Sequence, residues 1–169
     1  MAHPLEDVMR SAEPFLLIGD SSQDRFPAMS FHNYTVKKTR FHCLDLGGLT
    51  RSRGGSKGRK VYTSVEDLPD DRSDLAIIWV KPHSAKNAVD VAHTAGAKRI
   101  WFSFQTGHRD AVAHARELGM EVVEIGRCPV HYMADQIPTC RAHTLVTKLS
   151  GTYGRPPQTD PEAKRRELL

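Results

Sequence analysis

The chain is short of cysteine, aromatic residues and long apolar runs, and each shortage removes a class of protein. Three cysteines, Cys43, Cys128 and Cys140, are an odd number in 169 residues and too few for the disulfide framework of a small secreted domain. No run approaches the roughly 18 apolar residues that a membrane span requires. The opening Met-Ala-His-Pro-Leu-Glu-Asp has neither a basic start nor an apolar signal core, so a cytoplasmic location is expected. Aromatic residues at 7% and the lack of a recognisable module count against nucleic acid as a partner. The turn Gly19-Asp20-Ser21-Ser22-Gln23 also lacks the second and third glycines of G-x-G-x-x-G, which takes the main support from a nicotinamide dinucleotide reading.

What the chain does have is local charge. The net charge of +4 collects in two places, Arg51, Arg53, Lys57, Arg59 and Lys60 in a Gly/Ser-rich stretch, and Arg155, Lys164, Arg165 and Arg166 near the end. A local basic loop suits a phosphorylated small molecule as well as a polynucleotide.

Leu75-Ala-Ile-Ile-Trp-Val80 is the organising stretch. Six apolar residues between Asp74 and Lys81 are too short for a stable helix and do not alternate, as in a strand covered on both faces. Pro82 stops it, because proline cannot donate to a ladder and restricts the residue before it.

Around that strand the pattern alternates. Leu5, Val8, Met9 and Ala12 predict a short helix before Pro14, Phe15–Ile18 a first strand, Pro27 to Lys38 a crossover helix, and Phe41–Leu46 a second strand. Thr50 to Lys60 has no apolar side chain and reads as a loop. Val61–Thr63 reads as a short strand, and Ser64 as the cap of a brief helical turn to Leu68. After Pro82, Ser84 is placed to cap a helix with the stripe Ala85, Ala88, Val89, Ala92 and Ala95, ending at Gly96. Ile100–Phe104 is then a strand, Ala111, Val112, Ala115 and Leu118 a second helical stripe ending at Gly119, and Val122–Ile125 a last strand. Helix, glycine, strand in succession means right-handed crossovers and a three-layer, doubly wound α/β sheet, Rossmann-like and mainly parallel, in one domain. Residues 1–135 hold this unit. In 136–169, Ala142, Leu145, Val146 and Leu149 predict one more helix, and Gly151–Pro161 a flexible linker to a charged end.

Parallel strands point one way, so their ends at Gly19, Gly47, Pro82, Gln105 and Arg127 are expected along one edge. The first turn offers amides and two hydroxyls for a phosphate, Asp45 is placed to bind a ribose diol as the alternative NAD(P) reading requires, and the Arg51–Arg59 loop offers cations. Val80-Lys81-Pro82 offers an apolar wall and a carbonyl to an adenine ring.

The order of these pieces carries a resemblance. Gly19 and Ser21 after strand one, Gly58-Arg-Lys-Val-Tyr-Thr-Ser-Val-Glu-Asp-Leu-Pro69, the Asp74 to Pro82 strand, Gly96-Ala-Lys-Arg-Ile-Trp101, and Arg116-Glu-Leu-Gly119 leading to Arg127-Cys128-Pro129 resemble the small stand-alone CoA-binding proteins. These are similar to the CoA-binding domain of succinyl-CoA synthetase alpha subunits. The resemblance covers roughly residues 13 to 132. It implies a Rossmann-like domain that binds coenzyme A or an acyl-CoA through Gly19, Ser21, Ser22, Lys57, Val80, Lys81, Pro82, Phe104 and Gln105. The synthetase's second domain, with its phosphorylated histidine, has no counterpart in a chain of this length. No nucleophile, base and orienter group stands out, so binding without catalysis is expected.

Two further expectations attach to the cysteines. Cys128-Pro-Val-His131 and Cys140-Arg-Ala-His143 repeat Cys-x-x-His, a zinc-type ligand set at a spacing foreign to known zinc modules. Cys128, near the crevice, is also a candidate for a mixed disulfide with the CoA thiol. Small sheets of this kind often pair, which makes a homodimer a further expectation.

Overall fold

The computed structural model describes residues 2–52 and 58–162, so the expectations placed on Arg53, Lys57, Lys164, Arg165 and Arg166 lie outside the described residues. Five strands, β1 (Phe15–Gly19), β2 (Phe41–Asp45), β3 (Leu75–Trp79), β4 (Arg99–Phe102) and β5 (Glu121–Ile125), form one sheet in the order β2-β1-β3-β4-β5. All four pairings are parallel, and β3 is the middle strand.

Each strand is buried on both faces because successive side chains point to opposite sides. Leu16, Ile18, Ala76, Ile78, Ile100 and Phe102 pack against α3 (Ala85–Thr94) and α4 (Arg109–Glu117). Phe15, Leu17, Leu75, Ile77, Trp101 and Val123 pack on the other face, with Leu5 and Met9 of α1 (Pro4–Ser11), Phe31 and Tyr34 of α2 (Ala28–Val36), and Cys140 of α5 (Pro138–Leu149). The result is the expected three-layer, Rossmann-like α/β arrangement. The alanine-rich stripes of α3 and α4 face inward, and the two helices are followed by Gly96 at φ +87° and Gly119 at φ +75°, left-handed positions where a Cβ would be strained.

Local expectations fared less evenly. Val61–Thr63 forms no strand. Tyr62 only bridges Leu44, because Asp45 N–H donates to Tyr62 O and Tyr62 N–H to Cys43 O at 2.8 Å and nothing extends the ladder. Ser64 accepts the Glu66 amide at 3.2 Å inside a turn, not at a helix start. Ser84 occupies the N-cap position of α3, but its backbone is already helical (φ −92°, ψ −7°) and its side chain makes no capping bond.

Helix α5 exists, yet its apolar stripe points outward. Leu145 is 56% exposed and Leu149 80%, while Cys140, Thr144 and Thr147 face the protein. Threonine tolerates that side because Thr147 Oγ1 donates to Thr144 O at 2.7 Å and Thr144 Oγ1 lies 2.9 Å from Cys140 O, leaving no hydroxyl bare.

The segment expected as a flexible linker is docked. Arg127 donates from Nη1 to Arg155 O at 2.9 Å and from Nη2 to Pro156 O at 2.7 Å, Ile125 N–H donates to Gln158 O at 2.7 Å, and the Tyr153 ring stacks on Tyr132 at 4.8 Å. Carbonyls of a proline-containing segment need donors, and a buried guanidinium supplies them.

Candidate functional site at the carboxyl edge of the sheet

In a sheet of this order the chain leaves β1 for one side and returns to the other at β3, and the crevice between those two strand ends is where such sheets bind ligands. Gly19 pairs with Trp79. The first turn and the Lys81 exit therefore lie side by side on one rim.

The first turn is already satisfied. Asp45, fully buried, accepts the Ser21 amide (2.7 Å), the Ser21 hydroxyl (2.6 Å) and the Leu49 amide (2.7 Å). Asp20 accepts the Ser22 amide at 3.1 Å and the Ser22 hydroxyl at 2.5 Å. A Cβ on Gly47 would lie 2.3 Å from the Ser22 nitrogen, so the end of β2 abuts this turn directly. The donors expected for a phosphate are spent on two carboxylates, and the carboxylate expected for a ribose is spent on them.

One cation reaches the crevice that the sequence reading missed. An antiparallel bridge between Asp20 and Arg25 turns the chain back and sets the Arg25 guanidinium over the Trp79 ring, 4.7 Å from its centre. Its Nη2 donates to Phe104 O at 2.5 Å, while Nε has no hydrogen-bond partner among the described residues. The signal was available in the sequence only as an arginine following a turn. Lys81 and Pro82 are exposed beside it, whereas the Val80 side chain is buried in the α3 face of the core and forms no ligand wall.

Beyond Trp79 the edge opens into a cavity of about 350 Å³. Phe104 and Gln105 from the β4 exit, Gly126 to Cys128 from the β5 exit, and Met29 and Ser30 of α2 form one side, and Cys140, His143, Thr147, Thr152 and Tyr153 close the other. Gln105 adopts φ +53°, a left-handed conformation uncommon for a residue with a side chain and frequent at functional sites. Cys128 starts a short 3-10 turn, Pro129–Tyr132, with its sulfur 3.9 Å from the Ser30 hydroxyl. Burial pushes the Cys128 thiol up to about 11, so at neutral pH it is the protonated, weakly nucleophilic form. Burial, aided by His143, lowers His131 to about 4, which keeps it a neutral imidazole held by the Thr144 hydroxyl at 2.9 Å.

Below the cavity, Glu124 is fully buried and Arg127 meets it at 2.5 Å. Burial raises the carboxyl above its ordinary range, and the guanidinium pulls the other way. Arg127 also donates to the Tyr132 hydroxyl at 2.9 Å, and its carbonyl accepts the Trp101 indole N–H at 2.7 Å. The four residues of the Cys-x-x-His repeat share the cavity lining, but among the described residues no three His, Cys, Asp or Glu side chains form a group that could hold a metal.

A parallel sheet with its switch point flanked by a cation, an indole and a cavity defines a Rossmann-like domain whose carboxyl edge is open on the β3–β4–β5 side. The sequence profile of the CoA binding domain matches residues 14–133, well over half of the chain, and the protein belongs to that family. Among solved structures it is similar to a hypothetical protein from Pyrococcus horikoshii OT3, 26% identical with a TM-score of 0.60, over 76% of this chain and 86% of that one. A conserved hypothetical protein from Pyrococcus furiosus (23% identity, TM-score 0.54, 68% of this chain and 94% of that one) and the protein cell-free ID.343 from Thermus thermophilus (17%, 0.56, 73% and 90%) share the fold. No curated protein matches the chain. Among the described residues no helix is long and apolar enough to cross a membrane.

Proposed function

We propose that this protein binds coenzyme A or an acyl-CoA, without catalysis of its own, in the crevice between β1 and β3, and that it does so in the cytoplasm. Residues 1–135 are the ligand-binding unit in this reading, and α5 with its docked tail completes one wall. The observation that carries it is the joint presence, at the switch point of a CoA binding domain, of a half-used guanidinium over Trp79 and an adjoining cavity. Arg25 and Lys81 take phosphate charge, Lys57 of the basic loop takes the 3′-phosphate, and the backbone around Gly19, Ser21 and Ser22 forms the floor. Pro82 borders the adenine, Val80 contributes only its main chain, and Phe104 and Gln105 guide the pantetheine arm inward. The saturated, buried Asp45 counts against the nicotinamide alternative.

Calorimetry with CoA, dephospho-CoA and NAD tests this. CoA binds and NAD does not; Arg25→Ala weakens CoA about tenfold, the worth of one charge-assisted hydrogen bond. Dephospho-CoA binds less tightly than CoA, and Lys57→Ala removes most of that difference. Failure of CoA to bind overturns the function, and equal affinity for the two CoA forms overturns the placement of the basic loop. The outward stripe of α5, Leu145, Val146 and Leu149, supports a homodimer in the same reading. Sedimentation of a Leu145→Glu, Leu149→Glu double variant as a monomer beside a dimeric parent bears that out, and a monomeric parent rejects it.

A further inference from the structure

We infer that the cavity beside Cys128 is an acyl pocket for an uncharged acyl group, and that α5 and the residues just after it make it one. The inference rests on the CoA reading above and narrows it from the cofactor to the thioester.

Two walls of different origin flank the space. Trp79, Phe104, Cys128 and Val130 lie inside the segment that matches the CoA binding domain, whereas Cys140, Thr147, Thr152 and Tyr153 lie beyond residue 133, where the match ends. The second group is held rigidly. Tyr153 stacks on Tyr132, its backbone N–H donates to Thr147 O at 3.0 Å, and the tail is tied to Arg127. At about 350 Å³ the cavity sits at the small end of the usual range for ligand pockets, roughly 300–1,000 Å³. That is room for the thiol end of a pantetheine arm and a short chain.

The lining chemistry then selects the chain. Cys128 is a protonated thiol and His131 a neutral imidazole at physiological pH. Arg127 carries charge, but its guanidinium is taken by Glu124, the Tyr132 hydroxyl and two tail carbonyls. A terminal carboxylate entering here would lose its water and meet no free lysine or arginine among the described lining residues, an unfavourable exchange, whereas each buried methylene gains. The site therefore takes short aliphatic acyl groups and rejects dicarboxylic ones.

Calorimetry on the full chain at pH 8 with CoA and its acetyl, butyryl, hexanoyl and succinyl thioesters reads this directly. Affinity rises roughly fourfold for each added methylene until the cavity is full, and succinyl-CoA binds at least tenfold more weakly than butyryl-CoA, its match in carbon number. Thr147→Leu, which fills the space, lowers the ratio of hexanoyl to acetyl affinity, and Thr147→Ser, which widens it, raises that ratio. Being internal ratios, these readouts do not depend on how much each variant is destabilised. CoA binding with no gain along the series, or with succinyl-CoA equal to butyryl-CoA, overturns the acyl pocket and leaves the CoA reading standing. Ratios that both Thr147 variants leave unmoved overturn it as well, and no binding of any CoA species overturns both readings.

Discussion

On the β2–β1 side of the carboxyl edge the polar groups are spent, and on the β3–β4–β5 side there is space. The first region looks more like a binding motif, with Gly19-Asp20-Ser21-Ser22 at the end of a strand, yet Asp20 and Asp45 hold its amides and hydroxyls, and Gly47 packs against it without a gap. The second begins with the aromatic side chains of Trp79 and Phe104 and ends in a cavity of mixed lining. The difference teaches that a site is defined by what the fold leaves unsatisfied and uncovered. Residue types alone describe a brace and a binding turn in the same letters.

Four perturbations break or sharpen that contrast. The largest acts on the open side, where Arg127→Ala strands the buried Glu124 carboxylate and frees the tail that walls the cavity. It should cost about 3–5 kcal/mol in denaturant unfolding, and a loss below about 1 kcal/mol would show that the wall stands without the ion pair. Acid comes next. His131 titrates near 6.5 unfolded and about 4 folded, so the unfolded chain takes up the proton first. Stability is full above pH 6.5, declines as pH falls, and is lower by about 3 kcal/mol once both states are protonated. His131→Gln should flatten that window.

On the closed side, Asp45→Asn weakens the charge-assisted bonds to Ser21 and Leu49 and should cost about 2 kcal/mol while leaving CoA affinity within about twofold. A large loss of affinity instead would show that the floor formed by Gly19, Ser21 and Ser22 depends on the brace, and would erase the contrast. The smallest effect is at the β3 exit. Ser84→Ala should change stability by no more than about 0.5 kcal/mol, against about 1 kcal/mol for a serine that caps.

The strands were legible because the information is local: a short apolar run covered on both faces, ended by glycine or proline, as at Leu75 to Pro82. The rim also followed from the sequence, since parallel strands must end together. What escaped depends on distant partners. The Ser21 hydroxyl is visible in the sequence, but its acceptor lies 24 positions away at Asp45. Periodicity located the stripe on α5 without giving its direction, because buried threonines satisfied by their own helix look polar on paper. The tail read as a linker because its prolines and glycines build no element. Its anchors are Arg127 and the main chain of β5. Arg25 was overlooked because only the fold brings it over Trp79.

The bond from the Ile125 amide to Gln158 O has a wider reach than fastening the segment after α5. Strand β5 is the outermost of the sheet on that flank, where bare backbone donors invite a neighbouring molecule to add its own strand. By occupying one of those donors, and by setting the Gln158 amide on Glu124, the stretch around Gln158 leaves that edge with fewer open positions for such a strand. Proteolytic trimming before Gln158 would therefore threaten the protein's solubility even under conditions where every ligand contact survived.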